Sequence, residues 1–178
     1  MSAIYFIIHT LLQLALFVML ARLLMQWSRA DFRNSIAEAV VRLTNPLVLP
    51  LRRILPPIRK IDTATVVAVI LVAIVEVGVS QALRGYYVET DPVLWVRAVA
   101  LEITNVLLYA YFYMILLYAL LSMIAPGGYS PMQSLLGSIC EPVLRPFRRL
   151  IPPLGGLDLS PLWAGIAIQA LLLLLPPF

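Results

Sequence analysis

The stretch Leu51-Arg52-Arg53-Ile54-Leu55-Pro56-Pro57-Ile58 has a counterpart at Phe147-Arg148-Arg149-Leu150-Ile151-Pro152-Pro153-Leu154. The same step of 96 positions pairs Pro46 with Pro142, Pro50 with Pro146 and Asp62 with Asp158, without a gap. Self-similarity at a fixed interval is the mark of one structural unit used twice. Upstream, Asn34 and Ser130 align as helix N-caps, Pro131 takes the favoured first helical position, and Ser35-x-x-Glu38 offers a capping box. Beyond the caps, Ile36, Ala39, Val40 and Leu43 align with Met132, Leu135, Leu136 and Ile139. Both sets follow the i, i+3, i+4, i+7 pattern of an amphipathic helix.

Around these elements lie four apolar stretches: Ile4–Leu24, Val66–Val79 with its flanks Ile61–Leu83, Val106–Ala125 and Leu159–Leu175. The chain of 178 residues is 62% hydrophobic and 12% charged, with mean hydropathy +0.95. A soluble domain carries about 25% charged residues, so lipid is the solvent that suits this surface. About 20 helical residues cross a hydrocarbon core of roughly 30 Å. The first stretch reads as a retained span rather than a cleaved leader, since Met1–Tyr5 lacks Lys and Arg and the run exceeds a leader's apolar region. The fold expected is an all-α membrane protein with about four transmembrane helices arranged as two parallel repeats. Each repeat holds a short interfacial amphipathic helix and a Pro/Arg-rich segment, with the first repeat in residues 1–84 and the second in 85–178.

Charge sets the orientation. Arg22, Arg29, Arg33, Arg42, Arg52, Arg53, Arg59 and Lys60 fall between the first two spans, and Arg145, Arg148 and Arg149 between the last two; only Arg84 and Arg97 lie elsewhere. Such a partition matches cytoplasmic loops, and the net charge of +4 then has no need of nucleic acid. The protein is expected in the inner membrane, with the motif loops in the cytoplasm and both termini outside the cytoplasm. An even number of crossings separates the copies, so they are parallel repeats, not inverted ones.

Pro46, Pro50, Pro56 and Pro57 lack N–H groups and restrict their neighbours, which predicts a stiff, non-helical path interleaved with apolar residues. Arg52, Arg53, Arg148 and Arg149, with Pro56, Pro57, Pro152 and Pro153, read either as a turn that returns the chain to the membrane or as a site for anionic lipid headgroups or a partner. The guanidinium fork suits phosphate. Asp62 and Asp158 precede spans and are expected to cap them. Within the spans, Glu76 is the one acid deep in an apolar helix, a costly placement that makes it a functional candidate. His9, Gln13, Glu76 and Asn105 form either a polar cluster or separately satisfied groups, with Glu102 near the outer interface. The single Cys140 excludes an intrachain disulfide and a cysteine metal cluster. No phosphate-binding loop, zinc-protease motif or hydrolase triad is present, so the sequence predicts no enzyme, no cofactor and no metal site.

The segment from Leu144-Arg145-Pro146-Phe147-Arg148-Arg149 through Pro152-Pro153-Leu154-Gly155-Gly156-Leu157-Asp158-Leu159-Ser160-Pro161 resembles the signature of the YggT family of small bacterial and plastid membrane proteins. The first copy departs from it, with Arg59-Lys60 in place of the Gly pair and Ala64-Thr65 in place of Ser-Pro. The resemblance implies an inner-membrane or thylakoid protein linked to osmotic-shock or ion tolerance, cytochrome assembly and membrane organisation, without a settled activity. Two functions stay open: a non-enzymatic scaffold or assembly factor in membrane homeostasis, or an oligomeric channel-like protein supporting osmotic-shock and potassium tolerance. The partners expected are membrane lipid, a further copy of the chain or another membrane protein.

Overall fold

The computed structural model describes residues 3–57, 62–84, 91–124, 130–150 and 158–176. Among them the chain forms six helices and no strand: α1 (Ala3–Trp27), α2 (Ser35–Ile54), α3 (Thr63–Arg84), α4 (Pro92–Ile124), α5 (Pro131–Leu150) and α6 (Ser160–Leu174). Helices α1, α3 and α4 are long and apolar enough to cross a membrane. Helix α6 is apolar too, but its 15 residues rise only about 22 Å.

Helices α2 and α5 are the amphipathic pair, 20 residues each, and α5 begins and ends at the positions aligned with the bounds of α2. Both contain prolines, Pro46 and Pro50 in one and Pro142 and Pro146 in the other. The expected non-helical path therefore does not hold at Pro46 and Pro50. Each lost N–H frees a carbonyl one turn back. Pro46, Pro50, Pro142 and Pro146 are all exposed, so those carbonyls can find partners outside the helix. Pro56 and Pro57 lie beyond the helix end. Pro152 and Pro153, the Arg59-Lys60 pair and the Gly155-Gly156 pair lie outside the described residues.

The chain divides into two compact units, one of residues 1–23 and 41–107, the other of residues 24–40 and 108–178. In the first, Leu16 and Leu20 of α1, Val48 of α2, Ala64, Ala68, Ala73 and Val77 of α3, and Val99 and Val106 of α4 form the core. Alanines at 64, 68 and 73 are fully buried. Small side chains of this kind let apolar helices approach closely where van der Waals contact replaces the hydrophobic effect. Trp95 lies over Gly78, where an added Cβ would sit 3.6 Å from its ring.

The buried face of α2 differs from the expected one. Ala37, Thr44 and Val48 are buried, whereas Leu43 is 71% exposed. The reason is a polar anchor: Arg22 of α1, 2% exposed, donates to Thr44 Oγ1 at 2.6 Å and Asn45 Oδ1 at 3.1 Å. That bond turns Thr44 inward and leaves Leu43 for lipid or water.

In the second unit α5 packs on α6, burying Leu135, Leu136, Ile139, Cys140 and Leu144 with Ala164 and Ile168. Here the expected apolar positions Leu135, Leu136 and Ile139 do face inward. Helix α1 ends in this unit at Arg29, whose φ of 53° permits the bonds Ala30 N–H to Met25 O at 2.9 Å and Arg29 N–H to Gln26 O at 3.3 Å. These are the paired bonds of a left-handed helix C-cap. Asn34 Oδ1 accepts from the Ile36 amide at 3.0 Å to start α2. Its Nδ2 donates to Pro131 O at the start of α5.

Replacing Ala68 by Leu adds three carbons to a close-packed helix contact and should destabilise the first unit by about 1–3 kcal/mol. Thermal unfolding in detergent micelles measures it, with the exposed substitution Leu71→Ala as a control that changes little.

Candidate functional site

Two constellations stand out, an arginine–aspartate clasp that occurs in each unit and a buried polar cluster in the first. In the first unit Arg52, in the last turn of α2, donates through Nε at 3.0 Å and Nη2 at 2.5 Å to Asp62 Oδ2. Asp62 immediately precedes α3, where its carbonyl accepts from the Thr65 and Val66 amides at 2.9 and 3.2 Å. Its Oδ2 also accepts from the Thr65 hydroxyl at 2.7 Å. The clasp thus ties the end of the amphipathic helix to the start of the next apolar one. Burial alone would raise the Asp62 carboxyl. Donation by Arg52 and Thr65, with the charges of Arg52 and Arg22, outweighs it and holds the group below the usual carboxylate range.

The second unit repeats the clasp with different neighbours. Arg148 Nε donates to Asp158 Oδ2 at 2.8 Å, and its Nη1 donates to Glu141 Oε2 at 2.5 Å. Asp158 Oδ1 accepts from the Ser160 amide at 2.9 Å, at the first residue of α6. Burial works against ionisation here too, and is outweighed by Ser160 and Arg148, so Asp158 is likewise held low. Three aligned positions account for the difference between the copies. Arg22, Thr44 and Asn45 of the first face Tyr118, Cys140 and Glu141 of the second. The cation of position 22 is replaced by a phenol that bonds Arg148, and the neutral amide of position 45 by a carboxylate. The Tyr118 ring lies 3.4 Å from where a Cβ on Gly137 would be. Cys140 is fully buried, and burial pushes its thiol up to about 12, which keeps it protonated and unreactive.

The second arginine of each motif is left outside the clasp. Arg53 and Arg149 are exposed, each followed by an exposed apolar residue, Ile54 at 77% and Leu150 at 78%. Cations in the last helical turn also favour the helix dipole.

The polar cluster is built by α1, α3 and α4. His9 Nδ1 lies 2.9 Å from Glu76 Oε1 and 3.2 Å from Ser80 Oγ, and the Ser80 hydroxyl donates to the same Glu76 oxygen at 3.0 Å. The His9 ring stacks on Tyr5 at 5.4 Å. Tyr5 Oη accepts from Arg84 Nε at 2.7 Å, with the guanidinium over its ring. Gln13 reaches the carboxyl of Glu102, which is 8% exposed. Of the four residues marked in the sequence, His9 and Glu76 are bonded, Gln13 turns to Glu102, and Asn105 takes no part in these bonds. Glu102, and not Asn105, meets Gln13 from α4. The two are three residues apart on α4, so a small rotation of the helix face separates them. Arg22, counted in the sequence as a loop cation, is instead a buried member of α1. Its run of apolar neighbours, Leu20, Ala21, Leu23 and Leu24, was the signal for that.

Helices long and apolar enough to cross a membrane point to a helical membrane protein. The chain belongs to the CCB3/YggT family, whose model matches residues 1–83 and again 98–178. An uncharacterized protein of Pseudomonas aeruginosa is 39% identical over 94% of this chain and 85% of its own length. The uncharacterized protein YggT of Escherichia coli K12 is 33% identical over 91% of this chain and 83% of its own. A short stretch, 20% of the chain, is 54% identical to the chloroplastic YlmG homolog protein 2 of Arabidopsis thaliana, of which it covers 14%. No solved structure matches the chain significantly.

The two clasps should differ in strength, because the Asp62 side chain is 10% exposed and Asp158 43%. Arg52→Gln strands a nearly buried carboxylate and should cost about 2 kcal/mol. Arg148→Gln leaves solvated acids and should cost under about 1 kcal/mol. Thermal unfolding of both variants in one detergent compares them. A carboxylate held low lends stability that is complete above its ordinary value of about 3.9. That contribution is lost as pH falls through the folded value. Asp62→Asn should therefore flatten the fall in stability between about pH 5 and pH 2, read from unfolding temperatures across that range.

Proposed function

We propose that this chain is a non-catalytic scaffold of the cytoplasmic membrane that docks anionic lipid at the ends of its two amphipathic helices. In this reading α1, α3, α4 and α6 are four spans forming two parallel repeats, with the Pro/Arg segments in the cytoplasm and both termini outside. The observation that carries it is the division of labour within each arginine pair. Arg52 and Arg148 are engaged by Asp62 and Asp158, while Arg53 and Arg149 are exposed beside Ile54 and Leu150. A cation next to an apolar side chain at a helix end suits the boundary between headgroup and acyl chain. The clasp holds that helix end in place, so the second arginine meets phosphate at little cost in ordering.

A second reading is favoured by the buried cluster of His9, Glu76 and Glu102: oligomeric ion transport in support of osmotic and potassium balance. One protomer's helices leave little room for a pore, so transport calls for several copies. Ion flux in liposomes that Glu76→Gln abolishes would support this reading over a pure scaffold.

Each arginine near an anionic surface contributes about 1 kcal/mol. The double variant Arg53→Gln with Arg149→Gln should therefore retain phosphatidylglycerol at least about tenfold less well, with phosphatidylcholine unaffected. Mass spectrometry of the protein released from mixed micelles reads both lipids, and unchanged phosphatidylglycerol retention contradicts the scaffold reading.

A further inference from the structure

The buried cluster carries a consequence that goes beyond lipid docking. Glu76 and Glu102 are 2% and 8% exposed, on different helices that are both long and apolar enough to cross a membrane. The titratable and charged groups around His9 are Tyr5 on its own helix, Glu76 and Arg84 on α3, and Glu102 on α4. With both carboxylates and the guanidinium ionised and the imidazole neutral, this group carries one net negative charge. An unbalanced charge among apolar helices costs several kcal/mol or more. One added proton removes it.

The geometry also offers that proton a place. The 2.9 Å line between His9 Nδ1 and Glu76 Oε1 requires a hydrogen on it, from the ring or from the acid. Ser80 donates to the same oxygen, so Glu76 Oε1 accepts twice when the ring carries that hydrogen. Glu102 Oε1 is buried and has no hydrogen-bond partner among the described residues, although its carboxyl interacts with both His9 and Glu76. This unpartnered oxygen is what separates the cluster from a fully satisfied structural network. No group of three His, Cys, Asp or Glu side chains with metal-binding geometry occurs among the described residues, and Arg84 already supplies a fixed cation.

We propose that His9, Glu76 and Glu102 form a binding site for one exchangeable proton, shared across α1, α3 and α4. His9 is its port, since its side chain is 23% exposed against 3% for Glu76. The stacked Tyr5 ring and Arg84 at the exposed end of α3 continue the chain of polar groups outward. This inference requires neither the scaffold reading nor flux, because a proton can bind and dissociate without crossing.

The chain contains one histidine, so selective ¹⁵N-histidine labelling gives signals from His9 alone. In detergent micelles between about pH 4 and pH 9, the wild-type spectrum should pass through one protonation step coupled to the carboxylates. Glu102→Gln removes a neighbouring anion and should lower the proton affinity of His9 at least about tenfold. Ser80→Ala, which removes no charge, should change it less than about threefold, and each variant's fold is checked by circular dichroism. An unchanging His9 spectrum in the wild type overturns the proposal, as does an identical titration in wild type and Glu102→Gln. Should Glu102→Gln not fold, Glu76→Gln takes its place with the same expected loss. Displacement of the proton by about 0.1 M potassium at constant ionic strength would overturn it in favour of a metal-cation site.

Discussion

An arginine at the end of an amphipathic helix, bonded to an aspartate ten residues further on, ties that helix to the start of the next apolar one in each unit. Arg52–Asp62 and Arg148–Asp158 add a charged tie to the apolar packing of α2 on α3 and of α5 on α6. The arginine also sits in the last turn of one helix and the aspartate at or just before the start of the next. Each charge therefore meets the favourable end of a helix dipole as well as its partner. This double use of one ion pair marks where the next apolar helix begins.

The two units solve the same local problem with different charges. The first gathers Arg22 and Arg52 around Asp62, with Thr44 and Asn45 as neutral acceptors. The second gathers Asp158 and Glu141 around Arg148 alone. The excess cation of one is thus an excess anion in the other. The first clasp is the more buried, which makes it the more dependent on its partner being present. The cluster of His9, Glu76 and Glu102 belongs to the same unit, so the unit that departs from the family signature at Arg59-Lys60 also holds the unusual polar chemistry.

Much of this was legible in the residues. Apolar runs located the helices because lipid-facing surfaces need nothing but apolar side chains, and the step of 96 positions located α2 and α5. The prolines misled: Pro46 and Pro50 break a helix in the interior of a soluble protein, yet at an exposed helix face the freed carbonyls need no bond within the helix. Arg22 misled because a cation beside a span resembles a loop residue until Thr44 and Asn45 are brought under it by the return of α2. Glu76 was marked by its apolar neighbours. The partnership of Glu102 with it is not legible, since pairing across helices depends on rotations that a single sequence leaves free.

The clasp itself is tested most directly by a double-mutant cycle on Arg52 and Asp62, using Arg52→Gln, Asp62→Asn and their combination, with unfolding free energies measured in one detergent. A bonded pair of this burial predicts a coupling energy of about 1–3 kcal/mol, so that the double variant is less destabilised than the two single variants together. Strict additivity within about 0.3 kcal/mol would mean that the two side chains do not interact, and would contradict the account of how the amphipathic helix is held to the apolar one.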